Sequence, residues 1–334
     1  MRVPTITNSS SKVQLARISH VYLEHPDLDK FENFAKDFGF VEAGRAGDTI
    51  YYRGFGRDPY VYVASQARDG VKAFKGAAFV AQTEEDFVKA TKLQGATRVD
   101  ISKAPGGGQA VSVPTPGGSK IYVVWNQQER EVREAVSATT VTKGDYNTSL
   151  EKFRKGQFQR FQPGPAMVHK LGHYGFVTAV FDDDVRFYTS NFNFTPSDIL
   201  YSPGNNDEDV IVFLHLDLGA DYSDHHSLFF QRVDPGQTTR MHHCSFEVDD
   251  FDTQLLGHEH LLSKGYTPAW GVGRHILGSQ IFDYWKDTSG FLIEHYADGD
   301  LVNQNTQVTR EEAGPGKMNI WGAPFPPGLE SGGD

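Results

Sequence analysis

Leu171-Gly172-His173-Tyr174-Gly175-Phe176, Met241-His242-His243-Cys244-Ser245-Phe246 and Gly290-Phe291-Leu292-Ile293-Glu294-His295-Tyr296 are three short apolar stretches of strand-like composition. Each carries at least one potential metal ligand, and each sits at the start or end of a repeated unit. Eleven of the 13 histidines lie after residue 168, so the chemistry concentrates in the second half of the chain. Two imidazoles and one carboxylate make the facial triad of non-haem Fe(II) oxygenases, which leaves three octahedral positions open for substrate and O2. A single histidine on an apolar strand is more often a core or surface group than a ligand. It is the joint occurrence of the three at matching repeat positions that points to a metal site.

Working outward, the repeats set the architecture. One unit begins at Ile18-Ser19-His20-Val21-Tyr22-Leu23 and runs into a helix-like stretch over residues 29–40. A second begins at Gly172-His173-Tyr174 and continues through a helix-like stretch from Asp183 to Phe194. A third starts at His243, with a helix from about Phe251 to Lys264 closed by Gly265. A fainter one covers about Val71 to Trp125. Unit ends repeat too: Pro116-Gly117-Gly118-Ser119-Lys120-Ile121-Tyr122 parallels Thr288-Ser289-Gly290-Phe291-Leu292-Ile293-Glu294, each a tight turn feeding a last strand. Aligned on the turn glycine, Tyr122 takes the place of Glu294, so the first half has the frame without the carboxylate.

The expected fold class is α+β, with two tandem domains of two βαβββ modules each, every domain a partly closed barrel-like sheet around a pocket. The expected boundaries are a flexible tail over 1–12, a non-catalytic domain over 13–127 and a connector over 128–167. A metal-binding catalytic domain then spans 168–300, and a Gly/Pro-rich tail spans 301–334. A formal net charge of −11 argues against nucleic acid or an anionic membrane as partner. Cys244 is the only cysteine, which excludes an intrachain disulfide and favours a reducing cytosol. No stretch approaches 18 consecutive apolar residues, and residues 1–12 lack the apolar core of a signal peptide. The expected location is cytoplasmic.

On these motifs the sequence resembles the type I extradiol ring-cleavage dioxygenases, the catechol 2,3-dioxygenase-like branch of the vicinal oxygen chelate superfamily. The likeness covers both halves in layout and is motif-specific from about residue 170 to 300. The resemblance implies that His173, His243 and Glu294 hold Fe(II), with Mn(II) as the alternative ion. It selects His243 over His242 as the ligand, and strand alternation lets only one of that pair point inward. It further implies that His275 and Tyr284 bind the substrate oxygens and that His226, rather than its neighbour His225, is the acid/base. The expected reaction is cleavage of a catechol beside the diol by O2, giving a hydroxymuconic semialdehyde-type product, in a protein that assembles as a homo-oligomer. Two rivals stand beside it: another oxygenase on the same frame, similar to 4-hydroxyphenylpyruvate dioxygenase, and a metal-free small-molecule binding protein.

Overall fold

The computed structural model describes residues 2–132, 140–142, 146–233 and 236–329. The first half contributes β1 (Leu15–His25), α1 (Leu28–Phe38), β2 (Val41–Ala46), β3 (Thr49–Arg53) and β4 (Tyr62–Gln66). It continues with β5 (Ala73–Ala81), α2 (Glu84–Ala90), β6 (Thr97–Val99), β7 (Gln109–Pro114) and β8 (Lys120–Trp125). The second half contributes β9 (Leu171–Thr178), α3 (Phe181–Asn191), β10 (Phe194–Ser202), β11 (Asn205–Leu216) and β12 (Leu228–Arg232). It continues with β13 (Arg240–Glu247), α4 (Phe251–Ser263), β14 (Pro268–His275), β15 (Ile281–Lys286), β16 (Leu292–Ala297), β17 (Thr309–Glu312) and β18 (Asn319–Gly322).

The eight-stranded first sheet has the order β2-β3-β4-β1-β5-β8-β7-β6, and the second has β17-β10-β11-β12-β9-β13-β16-β15-β14-β18. Apart from its two added edges, the second order repeats the first. Each sheet joins two βαβββ modules through one antiparallel pair, β1 with β5 and β9 with β13. Parallel pairs flank that seam: β1 with β4 and β5 with β8, then β9 with β12 and β13 with β16. The expected α+β duplication is therefore present.

The registers make the equivalence exact to the residue. His20 pairs with Ala78 and Ala78 with Tyr122; His173 pairs with Ser245 and Ser245 with Glu294. Two residues along, Tyr22 pairs with Gly76 where Gly175 pairs with His243. The first half thus offers His20, Gly76 and Tyr122 at the positions of His173, His243 and Glu294. Gly76 has φ +130°, and a Cβ there would lie 2.7 Å from the Tyr122 ring and 2.3 Å from Lys120 O. Tyrosines fill this frame: Tyr22 hydroxyl bonds His20 Nε2 at 2.9 Å, and the Tyr122 ring lies 4.5 Å from that of Tyr22.

Local signals place the helices. Asp27, Thr83 and Asp250 cap α1, α2 and α4 by accepting from the backbone N–H three residues on. α1 ends at Gly39, whose φ of +102° is the left-handed geometry of a helix C-terminus. The apolar face of α1, with Phe31, Phe34 and Phe38, joins a core continuous between the two halves. Phe79 packs against Tyr174 and Phe194, Phe40 against Phe246, and Phe38 stacks on His295 with ring centres 3.6 Å apart. His295 Nε2 donates to Phe38 O at 2.8 Å, so this histidine is a tie between the halves. Among the described residues no helix is long and apolar enough to cross a membrane.

The C-terminal tail departs from its composition. Despite its glycines and prolines, it supplies β17, parallel to β10, and β18, antiparallel to β14, and so caps both edges of the second sheet. Residues 2–12 lack regular structure, but Val3 packs on the core and its N–H donates to Asp209 at 2.7 Å.

One buried carboxylate links the fold to pH. Asp287, in the turn before β16, accepts at Oδ1 from the N–H groups of Ser289 and Phe291, while its buried Oδ2 has no partner. Burial raises its pKa to about 7, and the His25 ring, with Nδ1 3.9 Å away, is pushed down to about 3 and is neutral. Between about pH 4 and 7 the folded protein therefore keeps a proton that the unfolded chain has lost, and stability falls as pH rises through that window. Asp287→Asn imitates the protonated form, so it is expected to stabilise the protein by about 1–3 kcal/mol at pH 8 and by little near pH 4. Melting curves of both proteins across that range check it; an equal difference at both ends would refute it.

Candidate metal centre and its pocket

Three strands that meet at the β9/β13 seam bring His173, His243 and Glu294 together. Their ligand atoms lie within 4.8 Å of one another, and all three side chains are buried. His173 Nε2 and His243 Nε2 are 3.1 Å apart, and Glu294 Oε2 lies 3.2 and 3.3 Å from them. An octahedral ion with bonds of about 2.1 Å sets adjacent ligands about 3.0 Å apart, so the spacing suits one face of such a shell. Glu294 is 0% exposed and meets no well-aligned donor, with the two imidazole nitrogens at 3.2 and 3.3 Å and the Tyr284 hydroxyl around it. A carboxylate buried in this way calls for positive charge, and a divalent cation would supply it. Burial pushes the Glu294 pKa up, but the two imidazoles outweigh it and hold the carboxyl below its usual range. His173 is lowered to about 4, first by burial and against the pull of Glu294. Neutral imidazoles and an ionised carboxylate are the protonation states a metal needs. The residues fit the ion.

Alternation along each strand sends the neighbours the other way. Tyr174, Cys244 and His295 lie in the core between the sheets. His242 breaks this rule. β9 and β13 slip by one residue between His243 and Met241, so His242 is the extra residue of a bulge and lines the same pocket as His243. Its Nδ1 lies 2.7 Å from His243 Nδ1, and it also hydrogen-bonds the backbone of Leu329. The expectation that only one of the pair faces inward is corrected. His242 instead fixes the orientation of His243, as partners of metal-binding imidazoles commonly do.

The other expected site residues converge on the same cavity, whose volume is about 440 Å³. The His226 ring lies 4.1 Å from that of His173. His275 Nε2 is 3.1 Å from the Tyr284 hydroxyl and 3.9 Å from Glu294 Oε1, and the Tyr284 ring is 5.1 Å from that of His243. His275 Nδ1 donates to Met318 O at 2.8 Å, so in the neutral ring Nε2 accepts from Tyr284. Gly175 makes room here: a Cβ would fall 2.0 Å from the Phe229 ring, which lies 5.1 Å from that of His243.

His225 and His226 have different surroundings. His225 Nε2 lies 2.7 Å from Asp198 Oδ2, and Asp198 also accepts from Thr309 on β17. Burial raises the Asp198 pKa, but these two hydrogen bonds outweigh it and keep the carboxyl ionised. His225 Nδ1 in turn lies 3.1 Å from His226 Nδ1. Where His225 donates its Nε2–H to Asp198 and accepts at Nδ1 from His226, His226 Nε2 keeps its lone pair. Sequence reasoning missed Asp198 and Thr309, because neither lies near a histidine in the chain. His258 and His260, on α4, are bonded to Asp283 and Asp37 at 2.9 and 3.1 Å.

Residues 170–295 match the Glyoxalase/Bleomycin resistance protein/Dioxygenase superfamily. Metapyrocatechase 2 of Cupriavidus necator is 30% identical over 149 residues, which is 45% of this chain and 42% of that protein, so the match spans less than half of either. Among solved structures, homoprotocatechuate 2,3-dioxygenase from Arthrobacter globiformis superposes with a TM-score of 0.77 at 16% identity, covering 99% of this chain and 95% of that one. The Mn(II)-bound glyoxalase from Novosphingobium aromaticivorans gives 0.73 at 20% identity, covering 94% and 92%. At these identities the likeness is one of fold. From residue 170 to 295 the chain is a glyoxalase/bleomycin resistance protein/dioxygenase superfamily domain, and it has the vicinal oxygen chelate fold.

Proposed function

We propose that the protein cleaves a catechol-type diol in the extradiol position with O2, at a non-haem Fe(II) or Mn(II) ion held by His173, His243 and Glu294. The observation that carries this is the buried carboxylate between two imidazole nitrogens, in a pocket shared with His226, His275 and Tyr284. When bound, the ion would supply a Lewis acid with open positions at which the diol and O2 meet.

The chain's own groups do the rest. His226 Nε2, left as an acceptor by the Asp198–His225 chain, takes a proton from a diol hydroxyl and later returns it. Tyr284 and His275 hold the substrate oxygens by hydrogen bonds, and Met318 O fixes the ring of His275. The apolar walls exclude bulk water, which strengthens each of these contacts. Glyoxalase-type chemistry is the second reading, favoured by the likeness to the Mn(II)-bound glyoxalase. It would use a fourth protein ligand, and among the described residues the ligand group has three. A cytoplasmic homo-oligomer completes the proposal.

Reconstitution with Fe(II) or Mn(II) under anaerobic conditions, followed by catechols in air, tests it. O2 uptake with a yellow ring-opened product is expected; stoichiometric metal with no uptake for any catechol would sink it. His226→Ala is expected to keep the metal and slow turnover about 10²–10⁴-fold. Loss of the metal in that variant would show that His226 is a ligand instead.

A further inference from the structure

The pocket beside the proposed centre contains more than the centre uses. Its roughly 440 Å³ is about three times the 150 Å³ or so that admits a benzene ring. Beyond the titratable groups already described, the walls are mostly hydrocarbon. Leu200 and Ile211 come from the β10–β11 hairpin, Leu277 from the β14–β15 turn, and Met318, Phe325 and Leu329 from the C-terminal tail. The tail segment is held in place by its own hydrogen bonds: Trp270 Nε1 donates to Ala323 O at 3.0 Å, and His275 Nδ1 to Met318 O. The roof is therefore part of the built site.

Charge is scarce there. Lys317 is the one lysine or arginine among the described lining residues, and its Nζ is 2.7 Å from Glu311. That pair is about half exposed, at 46% and 45% of side-chain area, so it sits at the solvent edge and is already neutralised. A substrate carboxylate would enter an apolar cavity with no unpaired cation to meet it, or would have to take Lys317 from Glu311. Burying an unpaired anion is strongly unfavourable.

Resting on the extradiol reading, we propose that the substrate is a catechol with an uncharged, apolar substituent, an alkyl chain or a second aromatic ring, and that catechols bearing a carboxylate are rejected. The substituent lies against the tail residues Met318, Phe325 and Leu329.

The test uses the full chain loaded with Fe(II). kcat/KM is measured by O2 uptake for catechol, a series of 4-alkylcatechols, 4-phenylcatechol and 3,4-dihydroxyphenylacetate, with anaerobic calorimetry of the same diols on the loaded protein. The neutral substituted diols are expected to exceed 3,4-dihydroxyphenylacetate by about 10²-fold or more. Each added methylene should raise kcat/KM about fourfold until the cavity is full. Ile211→Arg, which adds a wall cation, should narrow the gap at least tenfold. Equal or better turnover of the carboxylate substrate, or a flat alkyl series, would overturn the proposed class while leaving extradiol cleavage standing. No O2 uptake with any diol, despite calorimetric binding of the apolar ones, would overturn the cleavage reading itself.

Discussion

Glu294→Ala is expected to remove divalent metal from the protein and to reduce turnover roughly 10³-fold or more, while the fold survives. Glu294 is the one anion of the candidate centre, and two imidazoles 3.1 Å apart make by themselves a weak and poorly selective pair of ligands. In the metal-free protein the two imidazoles 3.2 and 3.3 Å away hold the same carboxylate ionised, so its removal also loses that interaction. Without metal, Glu294→Ala should therefore melt no higher than the wild type. With saturating Fe(II) or Mn(II), only the wild type should gain stability, by the mass-action amount set by its affinity. Metal analysis of the purified variant with melting curves at two metal concentrations decides it; metal-dependent stabilisation of the variant would refute the ligand assignment.

Gly39→Ala is expected to be the most damaging conservative change, at roughly 3–5 kcal/mol. Gly39 ends α1 with φ +102°, and a Cβ would lie 1.9 Å from Ala166 O and 2.7 Å from its carbonyl carbon. Those atoms are backbone, held by the hydrogen bond from Val168 N–H to Gly39 O at 3.1 Å, so no side chain can swing aside. The strand that carries His173 begins only a few residues further on, so displacement here would reach the site. Gly47→Ala is the control: φ is +60° with nothing within 4 Å of the added carbon, so only the backbone preference of about 1 kcal/mol is lost. Urea unfolding of both variants checks the pair. Equal losses would mean that the close approach of Gly39 to the Ala166 backbone carries no energy.

The four modules were readable because each begins and ends on recognisable stretches, and pairing in register then carried His173 and Glu294 to one place. Glycine-led turns at Gly117-Gly118 and Gly290 marked the ends of the modules, and Tyr122 at the position of Glu294 marked the silent half. The bulge at His242 was hidden, because one inserted residue in a strand leaves no mark on an apolar, histidine-rich stretch. Asp198 was hidden by distance along the chain, since it meets His225 only once β10 and β11 have paired. The strands of the tail were hidden by composition: turn-forming residues surround Thr309–Glu312 and Asn319–Gly322, and these strands gain their partners from sheet edges made elsewhere. The proposed substituent selectivity belongs to the same category, because Met318, Phe325 and Leu329 of that tail line the pocket.

The closed frame in the first half bears on how such a molecule can change over generations. A duplicate that had only lost its ligands could recover them one at a time. Here Gly76 stands where an imidazole would be needed, at a backbone angle that resists any side chain, and the ring of Tyr122 lies only 2.7 Å from where a Cβ there would fall. Return would require evicting that ring, rebuilding the strand at Gly76 and adding a carboxylate, and no single step improves on the one before it. If the second half carries the chemistry as proposed, specialisation of the two halves acts as a ratchet that keeps the chemistry there.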